Sequence, residues 1–344
     1  MSKLRKDPIS GRWMITATRK DVDTPFGFIT VRKEEREGDC PFCEGRELET
    51  PSELFALRKE ESRPDTPGWK VRVIPSKFGV VGLNEEVERK GVGDFFFFDT
   101  MNGYGAHEIV IESPLHTTHI SALPLEQIQK VLLVYQMRLR ELKKNSLLKY
   151  GLVFRNQGYI KEISMLHVHS QIIALPVIPK SIKDELSSAK SYYEEKERCI
   201  FCDITKQELY SRERIVSAGD KFIILAPFAS RFPFETQILP RKHECDFTNV
   251  PEEDLWELAG ELKSTIMKTV KLLKDPPLNF VLHTAPFMVP EAGFWLTIKE
   301  DYHWHIEILP HAMPARGFEW GGDFYINPPP PEAAARFLRE VEGE

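Results

Sequence analysis

The feature that most restricts the fold of this chain is an internal repeat of three motifs. Each half begins with a C-x-x-C pair, continues with a strand-like segment that ends in a histidine, and closes with a His-x-His pair. The motifs lie at 40–43, 107–116 and 167–169 in the first half, and at 199–202, 234–243 and 303–305 in the second. Such a repeat predicts two similar folding units.

Each unit has the pattern of a strand-rich α+β fold with one long helix. Amphipathic helical stretches at 125–144 and 251–273 lie between the second and third motifs of the two halves. The His-x-His pairs begin strand-like runs that are rich in Ile and Val. We therefore predict two pseudo-symmetric halves, 1–179 and 199–344, each an antiparallel sheet with a long helix. The charged, helical segment 180–198 is expected to link them.

Composition excludes several classes of function. The 344 residues carry a net charge of -6 and a sequence pI of about 6.0, which argues against general nucleic-acid binding. The sequence contains no run of about 18 apolar residues, so it predicts no membrane span. The polar N-terminus does not resemble a secretory signal. We expect a cytoplasmic protein with neither a nucleic-acid nor a membrane partner.

Four of the five cysteines form the two C-x-x-C pairs, a spacing that lets two thiolates bind one tetrahedral Zn(II). Two histidines follow each pair in the same order. The predicted ligand sets are Cys40, Cys43, His116 and His167, then Cys199, Cys202, His243 and His303. The alternatives are unrelated core thiols and histidines, or a redox dithiol, and the duplication argues against both.

A glutamine follows the first His-x-His pair, which places His167, His169 and Gln171 at alternate positions of one predicted strand. Alternate residues of a strand share a face, so a metal-bound His167 would hold His169 rigidly in place. A neutral imidazole is a good nucleophile toward phosphorus. The Gln171 amide can donate to a phosphate oxygen as charge develops there. The pattern predicts group transfer through His169, although an isolated His-x-His is more often structural or metal-binding.

Polar residues elsewhere in the first half are candidates for phosphate binding. Asn156 and Ser164 offer small polar side chains, and Gly158 allows close approach of a phosphate to the backbone. Arg19 is a candidate phosphate clamp.

Together these motifs resemble those of galactose-1-phosphate uridylyltransferases, a branch of the histidine-triad superfamily. The resemblance extends over nearly the whole chain. Its motifs lie at 7–13, 40–43, 72–78, 107–116, 166–171, 317–321 and 325–328.

The resemblance implies two histidine-triad-like halves and a ping-pong reaction. In that reaction His169 attacks the α-phosphorus of a nucleotide sugar, and a second, phosphate-bearing substrate then accepts the nucleotidyl group. The resemblance also implies that Phe78 lines the nucleoside pocket, that Asn156 and Ser164 contact phosphate, and that Glu319 binds substrate. It further implies that His167, two residues before the nucleophile, is a zinc ligand. It also implies a homodimer in which parts of each active site cross the interface.

The second metal has two alternative ligand sets in this family. One is the second Cys-Cys-His-His set, which the intact C-x-x-C pair favours. The other would be Glu185, His283, His303 and His305. Because position 307 is Glu where the first half has Gln171, His305 is not expected to be a second nucleophile.

Departures from the family pattern leave the substrate open. The family's Arg-x-x-Arg-Pro reads Arg-Lys-Asp-Val-Asp at 19–23, which removes the second Arg and the Pro. The first expectation is uridylyl transfer from UDP-glucose to a hexose 1-phosphate. The alternative is adenylyl transfer with phosphate as a substrate, as in ADP-glucose phosphorylases and adenylylsulfate:phosphate adenylyltransferases. A second alternative, a non-catalytic zinc-stapled nucleotide-binding module, is disfavoured by the joint presence of His169 and Gln171.

Overall fold

The computed structural model of the chain describes residues 3–16, 40–84, 86–95, 97–158, 167–287, 295–311 and 317–341. The strands are β1 (Lys3–Lys6), β2 (Trp13–Thr16), β3 (Phe55–Arg58), β4 (Trp69–Pro75), β5 (Arg89–Val92), β6 (Phe98–Met101), β7 (Ala106–Ile111), β8 (Tyr150–Gln157), β9 (His169–Leu175), β10 (Ile215–Ala218), β11 (Phe222–Leu225), β12 (Thr236–Pro240), β13 (Leu278–His283), β14 (His305–Pro310) and β15 (Tyr325–Asn327). The helices are α1 (Leu125–Leu142), α2 (Lys180–Lys196), α3 (Ile200–Ser211), α4 (Asp254–Leu273), α5 (Ile298–Asp301), α6 (Gly317–Gly322) and α7 (Pro331–Glu340).

One ten-stranded antiparallel sheet contains strands from both halves, in the order β10-β11-β12-β14-β13-β8-β9-β7-β4-β3. The second half supplies the first five of these strands and the first half the other five. The halves join where β13 pairs with β8, with Val281 opposite Phe154. The predicted α+β class with two pseudo-symmetric, strand-rich halves is confirmed, and the two halves share one continuous sheet.

The two long helices, α1 and α4, contact each other and pack on the same face of the sheet. Their apolar positions recur at the helical period, which gives each helix one buried stripe. In α1 this stripe includes Val131 and Leu132, and in α4 it includes Leu258 and Leu262, all nearly inaccessible to solvent. Both helices therefore form where the amphipathic pattern predicts them.

The segment between the halves is a packed helix and not a loose tether. Helix α2 follows Pro179 and buries Ile182, Glu185, Leu186 and Ala189. Ile182, Leu186 and Ala189 pack in a second apolar cluster with α3 and the second-half strands. The division of the chain into two domains at 180–198 stays a prediction.

Two smaller sheets flank the main sheet. Strands β1, β2 and β15 form one of them, and β15 runs parallel to β2, so the two ends of the chain meet there. Strands β5 and β6 form a hairpin whose Phe98 is largely exposed. No helix in the described part of the chain is long and apolar enough to cross a membrane.

Candidate active site and metal centres

Strand β9 alternates between two environments. Ser170, Ile172 and Ala174 are fully buried on the face covered by α1, whereas His169 and Gln171 are partly exposed on the opposite face. This alternation follows from the two-residue period of a strand. Two members of the predicted row, His169 and Gln171, therefore share one face of β9, whereas His167 precedes the strand.

The imidazole of His169 is fixed by a hydrogen bond to its own strand. Its Nδ1 lies 2.8 Å from the backbone carbonyl oxygen of His167, and only a protonated Nδ1 can donate to a carbonyl. The neutral ring then keeps its lone pair on Nε2. Burial lowers the pKa of His169, and the nearby positive charge of Arg155 lowers it further. Both effects favour the neutral imidazole that nucleophilic attack requires.

The side chain of Gln171 is oriented by His107, a residue for which the sequence analysis gave no role. His107 Nε2 lies 2.8 Å from Gln171 Oε1, and the backbone N–H of Val80 approaches His107 Nδ1 at 3.4 Å. Since Nδ1 accepts, Nε2 carries the proton and donates to the Gln171 carbonyl oxygen. The Gln171 amide nitrogen therefore points away from His107, with its N–H groups available to a ligand.

The first Cys-Cys-His-His set converges as predicted. The ligand atoms of Cys40, Cys43, His116 and His167 all lie within 4.8 Å of one another. Cys43 Sγ is 3.5 Å from His116 Nδ1 and 3.7 Å from His167 Nδ1, close to the sulfur–nitrogen separation of about 3.5 Å in a tetrahedral zinc site. His167 Nε2 is 2.8 Å from the Ser113 carbonyl oxygen, the outer contact typical of a metal-bound histidine. These groups could hold a metal ion.

The second set converges in the same way, in the second half. Cys199, Cys202, His243 and His303 form a group of potential ligand atoms within the same 4.8 Å limit. Cys202 Sγ lies 3.4 Å from His243 Nδ1 and 3.9 Å from His303 Nδ1. His243 Nε2 is 2.8 Å from the Lys299 carbonyl oxygen. The repeat thus places two Cys-Cys-His-His clusters at equivalent positions.

A third group of potential ligands lies beside the second cluster, and it differs from the alternative set considered from the sequence. That alternative included His303, whose Nδ1 instead faces the two cysteines. The buried group in the structure consists of Glu185, His283, His305 and Glu307. The alternative set is therefore wrong in one member, because Glu307 stands where His303 was expected.

Ionic contacts within this third group balance its charges. His283 Nδ1 is 3.1 Å from Glu185 Oε1, and Arg231 Nη2 is 2.6 Å from Glu307 Oε2. Burial raises the pKa of Glu185, but the adjacent His283 outweighs this effect and holds the pKa below its usual value. His305 is thus enclosed among ionic side chains, whereas His169 is partly exposed.

An aromatic ring contacts the two motif histidines in each half. Phe42, inside the first C-x-x-C pair, lies edge-on to His169 with ring centroids 5.6 Å apart. Phe201, inside the second pair, lies 5.5 Å from His305. Neither ring has a role predicted from the sequence, although the Phe that recurs between the two cysteines of each pair was the available signal. Phe42 restricts the space beside His169.

The remaining predicted substrate contacts are partly placed by the structure. Asn156 lies exposed at the end of β8, and its Oδ1 accepts from Asn279 Nδ2. Gly158 has φ +92, and a Cβ there would lie 2.7 Å from the backbone of Pro277. Phe78 is 85% exposed, and Glu319 is half-buried on α6. Arg19 and Ser164 lie outside the described residues.

Sequence and structure comparisons identify the chain as a nucleotidyltransferase. The family model described as galactose-1-phosphate uridyl transferase, N-terminal domain, matches residues 80–179. The corresponding C-terminal domain model matches residues 185–313. The chain belongs to the galactose-1-phosphate uridylyltransferase family.

Three similar proteins illustrate the range of the family. An ADP-glucose phosphorylase from Arabidopsis thaliana is 35% identical, over 98% of this chain and 93% of its own length. A galactose-1-phosphate uridylyltransferase from Thermotoga maritima is 32% identical, over 70% of this chain and 75% of its own length. The crystal structure of an Arabidopsis thaliana ADP-glucose phosphorylase with bound ADP-glucose superimposes with a TM-score of 0.82 and 33% identity, covering 100% of both chains.

Proposed function

We propose that this protein transfers an adenylyl group from ADP-glucose to phosphate by way of His169. The observation that carries the proposal is the similarity along the whole chain to an ADP-glucose phosphorylase, together with the fixed geometry of His169. Uridylyl transfer was the first expectation from the sequence. It becomes the second candidate, supported by the 32% identity to a galactose-1-phosphate uridylyltransferase.

The proposed reaction has two steps. In the first, Nε2 of His169 forms a bond to the α-phosphorus, the bond from that phosphorus to the bridging oxygen breaks, and glucose 1-phosphate leaves. In the second, a phosphate oxygen attacks the same phosphorus, the phosphorus–nitrogen bond breaks, and ADP leaves. The two steps restore the free imidazole, as in other covalent nucleophilic mechanisms.

Gln171 has a role in both steps under this proposal. Negative charge increases on the non-bridging oxygens of the transferred phosphoryl group as the bond to His169 forms or breaks. The Gln171 amide, held by His107, can donate to one of these oxygens without reorientation. Such preorganised donors stabilise the transition state more than the ground state. Asn156 and Gly158, at the end of the neighbouring strand, are proposed as phosphate contacts.

Zinc is the metal proposed for both Cys-Cys-His-His clusters. Two thiolates and two imidazoles within reach of one ion are the donor set of a closed, tetrahedral zinc site. A site with four protein ligands has no open position for substrate, so zinc would supply structural support here. His167, as a ligand, would then fix the start of the strand that carries His169.

The proposal extends to assembly and location. We infer a homodimer, in which Phe78, exposed in the single chain, and the half-buried Glu319 contact substrate near the interface. Sedimentation equilibrium would test this, since a monomer at micromolar concentration would contradict it. A cytoplasmic location, where thiols stay reduced, fits the four cysteines in the clusters.

The deciding experiment is intact-mass analysis after brief incubation with ADP-glucose or UDP-glucose in the absence of acceptor. We expect one adenylyl group per chain with ADP-glucose, which is lost on addition of phosphate. A uridylyl adduct alone would favour the second candidate. Binding of either donor without an adduct would indicate a non-catalytic nucleotide-binding module.

A further inference from the structure

A buried ion pair lies directly behind His169, on the core face of the sheet. Arg155 Nη1, from β8, contacts Glu112 Oε2, from the residue after β7, and the two side chains are 2% and 0% exposed. Burial of an ion pair away from water is unfavourable unless its geometry is excellent and its other polar atoms are satisfied. Among the described residues, Arg155 Nε has no hydrogen-bond partner. Burial of this pair therefore opposes folding unless the surrounding contacts compensate for it.

Hydrogen bonds join this pair to the strand that carries the nucleophile. Tyr135 OH lies 3.0 Å from Glu112 Oε1 and 2.7 Å from Ser170 Oγ. Arg155 Nη1 lies 3.4 Å from the backbone carbonyl oxygen of His169. That distance is long for a hydrogen bond, but the positive charge keeps the contact attractive. The network thus touches the backbone of His169 and the next side chain of the strand.

The second half lacks this network at the equivalent positions. On β8, Phe154 is the strand partner of Gln171, and Arg155 follows it. On β13, Val281 is the strand partner of Glu307, and Leu282 follows it. Leu282 is therefore the second-half equivalent of Arg155. Ser170, the residue after the nucleophile, corresponds to Ile306. Leu282 and Ile306 are each 1% exposed. Apolar side chains therefore support the same fold in the second half, where no nucleophile is expected.

We propose that Arg155 is a positioning residue for His169, and that Glu112 and Tyr135 hold it in place. The guanidinium, buried between β8 and β9, fixes the His169 carbonyl and with it the direction in which the imidazole leaves the strand. This role rests on the proposed nucleophilic function of His169. It accounts for a buried ion pair in one half and hydrocarbon in the other, because only the first half must align a reacting atom.

The test compares two buried ion pairs in the full chain. The variant Arg155→Met/Glu112→Gln removes the pair without leaving an unpaired charge. The matched control, Arg138→Met/Glu108→Gln, removes an ion pair between α1 and β7 whose atoms approach to 2.6 Å and whose side chains are 11% and 3% exposed. The rate of nucleotidyl-enzyme formation in a single turnover is measured at a series of ADP-glucose concentrations and, separately, at a series of UDP-glucose concentrations. The maximal rate and the half-saturating concentration are thereby obtained separately, and metal content and melting temperature are recorded for each variant.

We expect the maximal rate of the Arg155 double variant to fall about 10- to 100-fold, the effect of a small misplacement of a reacting group. The half-saturating concentration should stay within about twofold, because the donor contacts are intact. Arg155→Lys, which keeps the charge, should retain a rate within about threefold of the wild type. The control Arg138→Met/Glu108→Gln should also retain a maximal rate within about threefold of the wild type.

Several results would overturn the proposal. The Arg155 double variant could fold, bind metal and still reach the maximal rate of the control. That result would show that the network has no role at His169. The adduct in the wild type would still support the proposed function. No adduct in the wild type with either donor would remove both. If the double variant does not fold, Tyr135→Phe decides. A reduced maximal rate with unchanged half-saturation would support positioning, and an unchanged rate would assign the network to stability alone.

Discussion

His169 Nδ1 lies 2.8 Å from the carbonyl oxygen of His167, two residues earlier in the chain. One short stretch of backbone therefore carries both a cluster ligand and the histidine whose ring it orients. The hydrogen bond fixes the tautomer, which presents Nε2 as the basic nitrogen. The same contact recurs in the second half between His305 Nδ1 and the His303 carbonyl oxygen, at 3.2 Å.

Replacement of the first of these two oriented histidines should abolish the covalent intermediate. We expect His169→Ala to bind ADP-glucose but to form no nucleotidyl adduct, because the substitution removes the proposed nucleophile. Intact-mass analysis after donor incubation measures this directly. His305→Ala is the matched control and should still form the adduct. Loss of the adduct in the control variant alone would place the nucleophile in the second half.

Replacement of Gln171 should slow the chemistry without preventing it. Gln171→Ala removes one donor to the transferred phosphoryl group, and we expect the single-turnover rate to fall about 100-fold, as for loss of one oxyanion donor. Gln171→Glu, which installs the second-half residue, should be at least as slow because a carboxylate repels phosphate. An unchanged rate in Gln171→Ala would remove this side chain from the mechanism.

The contact between His107 and Gln171 gives a separate prediction. His107→Phe removes the donor that holds the Gln171 carbonyl oxygen, so the amide can rotate away from the phosphate. We expect the single-turnover rate to fall about tenfold, less than for loss of the amide itself. In the Gln171→Ala background the same substitution should have little further effect, since the two residues act together. Fully additive losses would contradict this relationship.

The two Cys-Cys-His-His clusters predict two zinc ions per chain. Cys43→Ser and Cys202→Ser should each lower the zinc content by one equivalent and lower the melting temperature, because metal binding to a folded site stabilises that fold. Cys245→Ser, at the cysteine outside both clusters, should keep two equivalents. Elemental analysis of protein purified without chelator provides the measurement. Full zinc in either cluster variant would show that the cluster does not bind the ion.

The C-terminal helix predicts a pH-dependent contribution to stability. Burial raises the pKa of Glu332, but hydrogen bonds from Arg5 and Arg214 outweigh this effect and lower it to about 2. A carboxylate with a depressed folded pKa stabilises the fold above its unfolded pKa of about 4.3, and this stabilisation disappears as the pH falls toward 2.

The corresponding test is Glu332→Gln. The free energy of unfolding should fall by about 1 to 2 kcal/mol at pH 7, and the difference from wild type should shrink at pH 3. Urea unfolding at the two pH values measures both differences. Glu340→Gln, at an exposed position on the same helix, serves as the control. A difference that is equal at both pH values would show that the carboxylate charge is not its source.

The sequence was informative wherever the repeat duplicated a motif. Both Cys-Cys-His-His clusters, the two long helices and the common face of His169 and Gln171 follow from motif order and from the periods of helix and strand. The third group was not predicted: the alternative set for the second metal shared three of its members but included His303, because spacing does not show which way His303 points. His303 precedes β14, which begins at His305, so the two-residue period of the strand does not apply to it, and its ring faces the cysteines instead.

Contacts between distant segments could not be predicted in this way. The partner of Gln171 is His107, on a strand that only the sheet order brings alongside β9. Arg155 is a charged residue at a buried position of β8, and nothing in its local sequence shows that Glu112 neutralises it. Differences between the two halves were the available signal, since a residue that changes class between repeats is not required by the shared fold.

The pairing of β8 with β13 has a consequence for the origin of the chain. These are the equivalent strands of the two repeats, they run antiparallel, and the equivalent residues Phe154 and Val281 lie opposite each other. A local twofold axis therefore passes through the middle of the sheet, as in an isologous dimer of separate subunits. An ancestral half could have completed its sheet by pairing with an identical copy. Duplication and fusion of its gene would then have allowed the two histidine sites to diverge, so that Gln171 in one corresponds to Glu307 in the other.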